Sequence, residues 1–374
     1  MGILIGADLV PAATNICLFQ EAKLKELFGK ELQTVIAEAD YRIFNLEVPL
    51  SDTVHPIKKH GPNLIASPDC AKGLMAMGVD LLTIANNHIM DHGIQGFEST
   101  TETLSKAGIS YIGGGNNLEE ARKPFFFTVG ETRYGVYACA EYEFSIAEED
   151  KPGANPFDPL ESLDHIEQIR KQCDYIIVLY HGGKEYYRYP SPYLQRVCRK
   201  LVEKGANLVI CQHSHCIGCM EEYLQSIIVY GQGNFLFDGA DNEYWNSSLL
   251  IEVNLDATIS FIPIKKQGCG VRLAVDSEAD EILNGFKSRS EEIKKTGVVE
   301  AYYNEFAQES ISNYIWYFSG KKSNYLFRIL NRLSGYQLQK IYARHYLKRN
   351  GIAMRNYIEC EAHRELVLEG LKQK

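Results

Sequence analysis

Through the first two-thirds of the chain, short apolar runs alternate with stretches in which apolar residues recur every three to four positions. The runs at residues 3–5, 41–44, 81–84, 111–112, 125–129, 134–138, 175–179, 208–210 and 227–230 are short and rich in β-branched or aromatic residues. They predict buried strands. Residues 22–28, 70–77, 96–107, 163–172 and 194–204 carry helical spacing. Strand and helix in repeated alternation imply an α/β layered fold. The runs at 248–253 and 258–264 are separated by only a short turn, which predicts a hairpin and therefore a mixed sheet. After about Asp276 strand-like runs cease, and residues 279–294, 298–312, 325–333 and 358–371 show helical spacing. Two parts are expected, an α/β domain over 1–275 and a helical region over 276–374. Gly113-Gly114-Gly115 reads as a tight turn, because no G-x-x-x-x-G-K-[ST] pattern accompanies it.

Composition narrows this picture. With 374 residues, 45% hydrophobic and 23% charged, the chain can bury a full core, and disorder is not its main state. A net charge of -9 argues against nucleic acid as a partner, since phosphate-backbone binders carry a basic excess. Ten cysteines and a Met1-Gly2-Ile3 start that runs straight into a core strand read as reduced thiols in a cytoplasmic protein. A chain relieved of an export signal, and so exported or membrane-associated, would read the same. No apolar run approaches about 20 residues, so no transmembrane helix is expected.

Polar residues gather where the predicted strands end, which is where layered α/β folds open a ligand crevice. Asp8 follows the first strand, where a turn or helix cap is the commoner role. Asn45 and Glu47 end the second, and Pro49 stops its continuation. Asn86-Asn87-His88-Ile89-Met90-Asp91-His92-Gly93 follows the third, with an imidazole and a carboxylate at i, i+3, a natural oriented acid or base. His181-Gly182-Gly183-Lys184-Glu185-Tyr186 and then Gln212-His213-Ser214-His215 end two later strands, and Gly231-Gln232-Gly233-Asn234 a further one. Cys216-x-x-Cys219 has no second cysteine pair at zinc spacing. Together these ends offer two carboxylates, one asparagine and three histidines. That is a ligand set for two divalent ions sharing a bridging carboxylate, suited to phosphoryl or acyl displacement.

The ordered set Asp, Asn-x-Glu, Asn-Asn-His-x-x-Asp-x-Gly, His-x-Gly-x-Glu, His-x-His and Gly-Asn-Phe resembles the capsule-biosynthesis (CapA, poly-γ-glutamate) branch of the calcineurin-like metallophosphoesterases, over roughly residues 2–255. The resemblance implies a four-layer α-β-β-α sandwich with two mixed sheets, and it does not cover the C-terminal helical region. It implies that Asp8 and His215 hold one metal, that Asn87, His181 and His213 hold the second, and that Glu47 bridges them. His88 would be the general acid, oriented by Asp91, and Glu185 would support a ligand or touch substrate. Asn45, Lys184, Tyr186, Arg188 and Asn234 would form the substrate rim. The wider superfamily places a histidine two residues after its first aspartate. Here that position is Val10, so the first metal has one protein ligand fewer, and a single-ion site stays open.

The expected cofactor is therefore a divalent transition metal, one or two ions of Mn, Fe, Co or Zn, which a mixed N/O set accepts about equally. The expected activity is a metal-dependent hydrolase or transferase in capsule or poly-γ-glutamate synthesis. Its partners would be an anionic polymer or a phosphorylated or glycan small substrate, with association to a membrane-bound polymer-synthesis complex. The alternatives are a polymer-binding or assembly component without turnover, in which Tyr186, Tyr187, Arg188 and Tyr189 form a contact rim, and a general nucleotide phosphoesterase.

Overall fold

The computed structural model of the chain describes residues 2–239 and 242–372. Two compact units divide between Val299 and Glu300. The first opens with β1 (Ile3–Val10), α1 (Ile16–Gln20), α2 (Leu24–Glu38), β2 (Tyr41–Leu46), α3 (Ala71–Ala76), β3 (Leu81–Thr83), α4 (Gly93–Lys106) and β4 (Ser110–Ile112). It continues through β5 (Gly114–Gly115), α5 (Leu118–Ala121), β6 (Phe125–Val129), β7 (Thr132–Ala140), β8 (Gly153–Ala154), α6 (Ser162–Arg170), β9 (Tyr175–His181), α7 (Pro192–Glu203) and β10 (Leu208–Gln212). The strands β11 (Met220–Tyr223), β12 (Ser226–Tyr230), β13 (Asn234–Phe237), β14 (Ser247–Val253), β15 (Ile259–Gln267) and β16 (Gly270–Leu273) follow, then α8 (Asp276–Glu292). Four more helices, α9 (Val298–Phe318), α10 (Tyr325–Leu333), α11 (Gln337–Glu359) and α12 (Glu361–Lys372), carry the chain to its end.

Two mixed sheets form the first unit. One runs β16-β15-β14-β1-β2-β3-β4, with β1 to β4 parallel and β14 to β16 antiparallel. Its strand β1 changes partner midway, pairing with β14 over Ile3 to Ile5 and with β13 over Asp8 to Val10. The other runs β11-β12-β10-β9-β7-β6, parallel except for its two edge strands.

The period-2 alternation of each strand sorts its side chains into three cores. Ile3, Ile5, Ile43 and Leu81 of the first sheet meet Val136, Ile177, Leu179, Leu208 and Ile210 of the second. Their neighbours Leu4, Phe44 and Leu82 face the other way, onto Leu27, Phe28, Leu32, Leu74, Phe97 and Leu104 of the helices. Ile176, Val178, Tyr180 and Val209 back onto Ile166, Ile169, Leu194, Val197 and Leu201. The order is helix, sheet, sheet, helix. Each aliphatic side chain fully buried this way contributes about 1.5–3 kcal/mol. Helix α7 shows how a layer is placed. Ser191 caps it by accepting from the Leu194 N–H at 3.0 Å, and Pro192 opens its first turn.

Three local expectations shift. The composition change near 275 marks the end of the strands, whereas the compact units divide at 299/300. Helix α8 belongs to the first unit: the Phe286 ring lies tilted 4.9 Å from Phe261, and Ser290 Oγ accepts from the Met220 N–H at 2.9 Å. The expected 258–264 strand extends and turns back as β16. Gly114 and Gly115 form the short strand β5 against β8 instead of a simple turn, and Gly115 admits no side chain, since a Cβ there would meet the backbone of Ala121 at 2.3 Å. Within the second unit Trp316 is buried, edge-on to Phe327 at 6.0 Å and to Tyr342 at 5.8 Å. Among the described residues no helix is long and apolar enough to cross a membrane.

Candidate metal centre

The carboxyl ends of β1, β2, β9 and β10 meet in one buried polar pocket. Asp8, Asn45 and Glu47 are wholly buried there. Adjacent strand register sets Asp8 beside Asn45. Asn45 Nδ2 donates to Asp8 Oδ1 at 2.7 Å and lies 3.2 Å from His181 Nδ1. Asn45 Oδ1 accepts from Asn86 Nδ2 at 3.0 Å, and Asn86 Oδ1 accepts from the His88 N–H at 3.1 Å. Three strand ends are thus tied by one chain of side-chain amides, which holds both the Asp8 carboxylate and the backbone of His88.

The imidazoles arrive from the second sheet. His181 closes β9, and its Nε2 lies 3.1 Å from Asn87 Oδ1 and 3.2 Å from Glu47 Oε1. After β10 the backbone turns with φ of 87° at His213 and 53° at His215. Non-glycine residues avoid that region, and such strain gathers at functional sites. The turn is held from behind by Gly231 at φ 109°, where a Cβ would stand 2.6 Å from Ser214 Oγ. It brings Glu47, His213 and His215 together, with one ligand atom from each lying within 4.8 Å of the others. The His181 and His213 rings are 4.8 Å apart. His215 Nδ1 stands 2.8 Å from Asn234 Oδ1 and 3.4 Å from Asp8 Oδ2. In the neutral ring that donates to Asn234, Nε2 carries the free lone pair.

Several of these atoms have no hydrogen-bond partner among the described residues: Asp8 Oδ2, both oxygens of Glu47 and His213 Nδ1. Each buried acceptor left this way costs about 1–3 kcal/mol, more when charged. Glu47 Oε1 and Asp8 Oδ2 meet only an imidazole nitrogen, at 3.2 and 3.4 Å, Glu47 Oε2 and His213 Nδ1 meet none, and this acceptor set fits a bound cation. The charged groups of the pocket also shift one another. Burial disfavours the Asp8 carboxylate, yet its contact with His215 and the charges of His181 and His215 hold it below its ordinary pKa. Burial would lower His181, but Glu47 and Asp8 raise it. His215 is pushed up to about 9 against its burial, chiefly by contact with Asp8 and the charge of Glu47. His213 goes far below its ordinary value, through burial and then the charges of His181, His215 and His88.

His88 stands beside this pocket, on the turn between β3 and α4. Its Nδ1 lies 2.6 Å from Asp91 Oδ2, which also accepts from the Leu64 N–H at 2.6 Å. Asp91 Oδ1 takes a close ion pair from Lys59, whose Nζ is 3.2 Å from His88 Nδ1. Lys59 and Asp91 are essentially excluded from solvent, at 2% and 0% side-chain exposure.

The outer rim is aromatic, with Arg188 paired to Glu243 at 3.7 Å and donating to the Ile217 carbonyl at 3.1 Å. Tyr186 sits at φ 60° with its N–H donating to Ser214 O at 2.9 Å. Its ring lies 5.6 Å from Tyr244, and the Arg188 guanidinium stacks over Tyr244 at 4.8 Å. Trp245 covers His215 at 5.3 Å.

Of the residues expected at the rim, Tyr186 and Arg188 flank the histidines, and Lys184 is exposed beside them. Asn45 and Asn234 lie deeper. Both are buried, and their amides hold Asp8 and His215 instead. Glu185 is half-buried and joins no hydrogen bond or ion pair among the described residues. Tyr187 is buried and packs 6.0 Å from Tyr189, whose hydroxyl donates to Glu292 at 2.5 Å, so neither forms a free contact face. Cys216 and Cys219 are buried free thiols, and burial pushes Cys216 up to about 11. Sequence reasoning missed Lys59, Asn86, Tyr244 and Trp245. Only Asn86 carried a signal, its place in the Asn-Asn-His run.

The chain resembles known proteins across this same region. Over 250 residues it is 26% identical to the "Capsule biosynthesis protein CapA" of Bacillus anthracis, covering 64% of this chain and 61% of that one. Over 225 residues it is 28% identical to the "PGA biosynthesis protein CapA" of Bacillus subtilis (strain 168), covering 58% of each. The match thus spans about three-fifths of these relatives' length. Among solved structures, a putative 5'-nucleotidase from Staphylococcus aureus in complex with alpha-ketoglutarate superposes with a TM-score of 0.42 at 13% identity, over 76% of this chain and 58% of that one. A novel phosphatase from Mycoplasma pneumoniae gives a TM-score of 0.40 at 16% identity, over 72% of this chain and 89% of that one. Residues 7–239, which contain Asp8, Glu47, Asn87, His88, His181, His213 and His215, match the family described as "Bacterial capsule synthesis protein PGA_cap", and the chain belongs to that family.

Proposed function

We propose that this chain is a metal-dependent hydrolase or transferase acting in the synthesis of a capsule or poly-γ-glutamate type polymer. The observation that carries the proposal is the set of unsatisfied oxygens on Asp8 and Glu47 facing the three histidines, with the His88–Asp91 pair alongside. Asp8, Glu47, Asn87, His181, His213 and His215 would hold one or two divalent ions of the Mn, Fe, Co or Zn kind. When bound, such an ion supplies Lewis-acid polarisation of the scissile group.

The protein's own part follows from its geometry. Asp91 fixes His88 through Nδ1, leaving Nε2 as the nitrogen free to give a proton to a leaving oxygen. Lys59 neutralises Asp91 and keeps it from drifting toward the cation. Asn45 and Asn86 keep Asp8 and the His88 backbone in one frame. Lys184 and Arg188 give the rim positive charge for a phosphorylated, carboxylated or sugar-bearing substrate, with Tyr244 stacked against Arg188.

The test is turnover of a generic aryl phosphodiester, an isopeptide and a glycan by the metal-loaded protein, with His88→Ala as the comparison. An active His88→Ala protein would remove His88 from the proton-transfer role.

A second reading has one observation in its favour. Val10 stands buried in β1 where the wider superfamily places a metal-binding histidine, which weakens the first ion's site. On that reading the chain is a polymer-binding or assembly component on the same fold. A protein that holds metal and cleaves none of the three substrates would support it.

A further inference from the structure

The second unit carries features that the metal centre does not use. Helix α10 is packed the reverse of a helix that belongs to a core. Its one fully buried residue is Asn331, whose Nδ2 donates to Gln339 Oε1 at 2.9 Å and whose Oδ1 accepts from the Gln339 N–H at 3.0 Å. Phe327, one turn earlier on that face, lies edge-on to Trp316. The remaining apolar residues, Tyr325, Leu326, Ile329, Leu330 and Leu333, face outward, with Leu326, Leu330 and Leu333 exposed by 69%, 53% and 79%. At 100° per residue these five occupy one arc of about 140°. Arg328 and Arg332 line one border of that arc.

The surrounding charge is one-sided. Between Glu309 and Glu359 the sequence has nine Lys and Arg residues and no acid, within a chain whose net charge is -9. A cavity of about 290 Å³ beside α10 is lined by Lys322, Arg328, Arg332, Trp316, Asn331 and Tyr336 among others, and no carboxylate lines it.

We propose that this unit is a membrane-surface module that binds anionic phospholipid bilayers. The aliphatic arc of α10 enters the headgroup and acyl boundary, while Lys322, Arg328 and Arg332 take lipid phosphates. A strongly amphipathic helix with a basic border is the form that lies in an interface. An anionic polymer in water would need the cations but would leave Leu326, Leu330 and Leu333 unused. A second copy seated on the same face would set positive surface against positive surface across the two-fold axis. No described helix is long and apolar enough to cross a bilayer, and the contact proposed here is a surface one. The inference does not depend on the metal centre.

The test uses the full chain and sedimentation with vesicles of equimolar phosphatidylglycerol and phosphatidylcholine, against vesicles of phosphatidylcholine alone. The account predicts co-sedimentation with the anionic vesicles, weakened by salt. It predicts a loss of roughly tenfold or more in partitioning for Arg328→Glu with Arg332→Glu, since each basic residue near the surface matters at about the level of 1 kcal/mol. Leu330→Glu with Leu333→Glu should abolish binding while circular dichroism and melting stay unchanged, because both side chains already face solvent. A native chain that stays in the supernatant overturns the proposal. So does an apolar variant that still binds but whose charge-reversed counterpart loses affinity for poly-glutamate, which identifies a polymer site. So does light scattering that shows a dimer dispersed by Leu330→Glu with Leu333→Glu.

Discussion

His88 Nδ1 lies 2.6 Å from Asp91 Oδ2, three residues further along the turn that leaves β3. The pairing fixes which face of the ring looks out and which nitrogen remains for chemistry. Replacing His88 with Ala is therefore expected to lower turnover of a phosphodiester by about 10²- to 10⁴-fold, the usual range for a positioned proton donor. Bound metal, read by elemental analysis, should not change. An equal loss of metal would show that His88 is a ligand instead.

Lys59 gives the second prediction. Its side chain is nearly fully buried, and among the described residues it pairs with Asp91. Lys59→Met removes one half of a buried pair and leaves the carboxylate with His88 and the Leu64 N–H. Breaking such a pair destabilises a protein by about 3–5 kcal/mol. Chemical denaturation should show a midpoint shift of that order. A shift below about 1 kcal/mol would mean that His88 alone satisfies Asp91.

Glu47 gives the third prediction. It is wholly buried, and its Oε1 stands 3.2 Å from His181 Nε2. In metal-free protein at neutral pH Glu47→Gln should lower the melting temperature, because it removes the carboxylate that favours the charged form of the buried His181. Adding Mn or Zn should stabilise the native chain, by about 2.7 kcal/mol at a hundredfold excess over Kd. It should stabilise the variant far less. Equal metal-induced shifts in both proteins would remove Glu47 from the ligand set.

Gly231 supports the His213–His215 turn from behind. Gly231→Ala would put a Cβ 2.6 Å from Ser214 Oγ and 2.9 Å from Cys216 O, at a φ that L residues rarely adopt. The expected result is a loss of about 1–3 kcal/mol in stability together with weaker metal uptake. Unchanged metal affinity in a destabilised variant would separate the loop from the site.

Much of the site is visible in the sequence because each strand ends on its functional residue. Short apolar runs locate β1, β2, β9 and β10; Asp8 within β1, His181 at the end of β9, Glu47 just past β2, and His213 and His215 just past β10 converge when the sheets pack. Lys59 left no such trace. It reaches Asp91 from a loop 32 residues earlier in the chain, and Lys58-Lys59-His60 in a polar segment has no periodicity to mark which of its side chains turns inward. Asn45 and Asn234 are expected at the rim on the resemblance. Their burial is a tertiary fact, set by what the neighbouring strands place over them.

Net charge misled in a different way. The whole-chain value of -9 conceals the acid-free stretch between Glu309 and Glu359, because acidic residues elsewhere outweigh it. Helical spacing in residues 325–333 locates α10 well. The spacing does not show which face of the helix packs, and here the apolar one is exposed.

The most direct test of the metal centre is the metal content of the purified native protein, set beside a His213→Ala, His215→Ala double variant. The account predicts one or two transition-metal ions per native chain, or their uptake from Mn or Zn solutions, and loss of them in the variant. A native chain that stays metal-free and binds neither Mn nor Zn would contradict it, and would leave the pocket as a polar remnant on a binding protein.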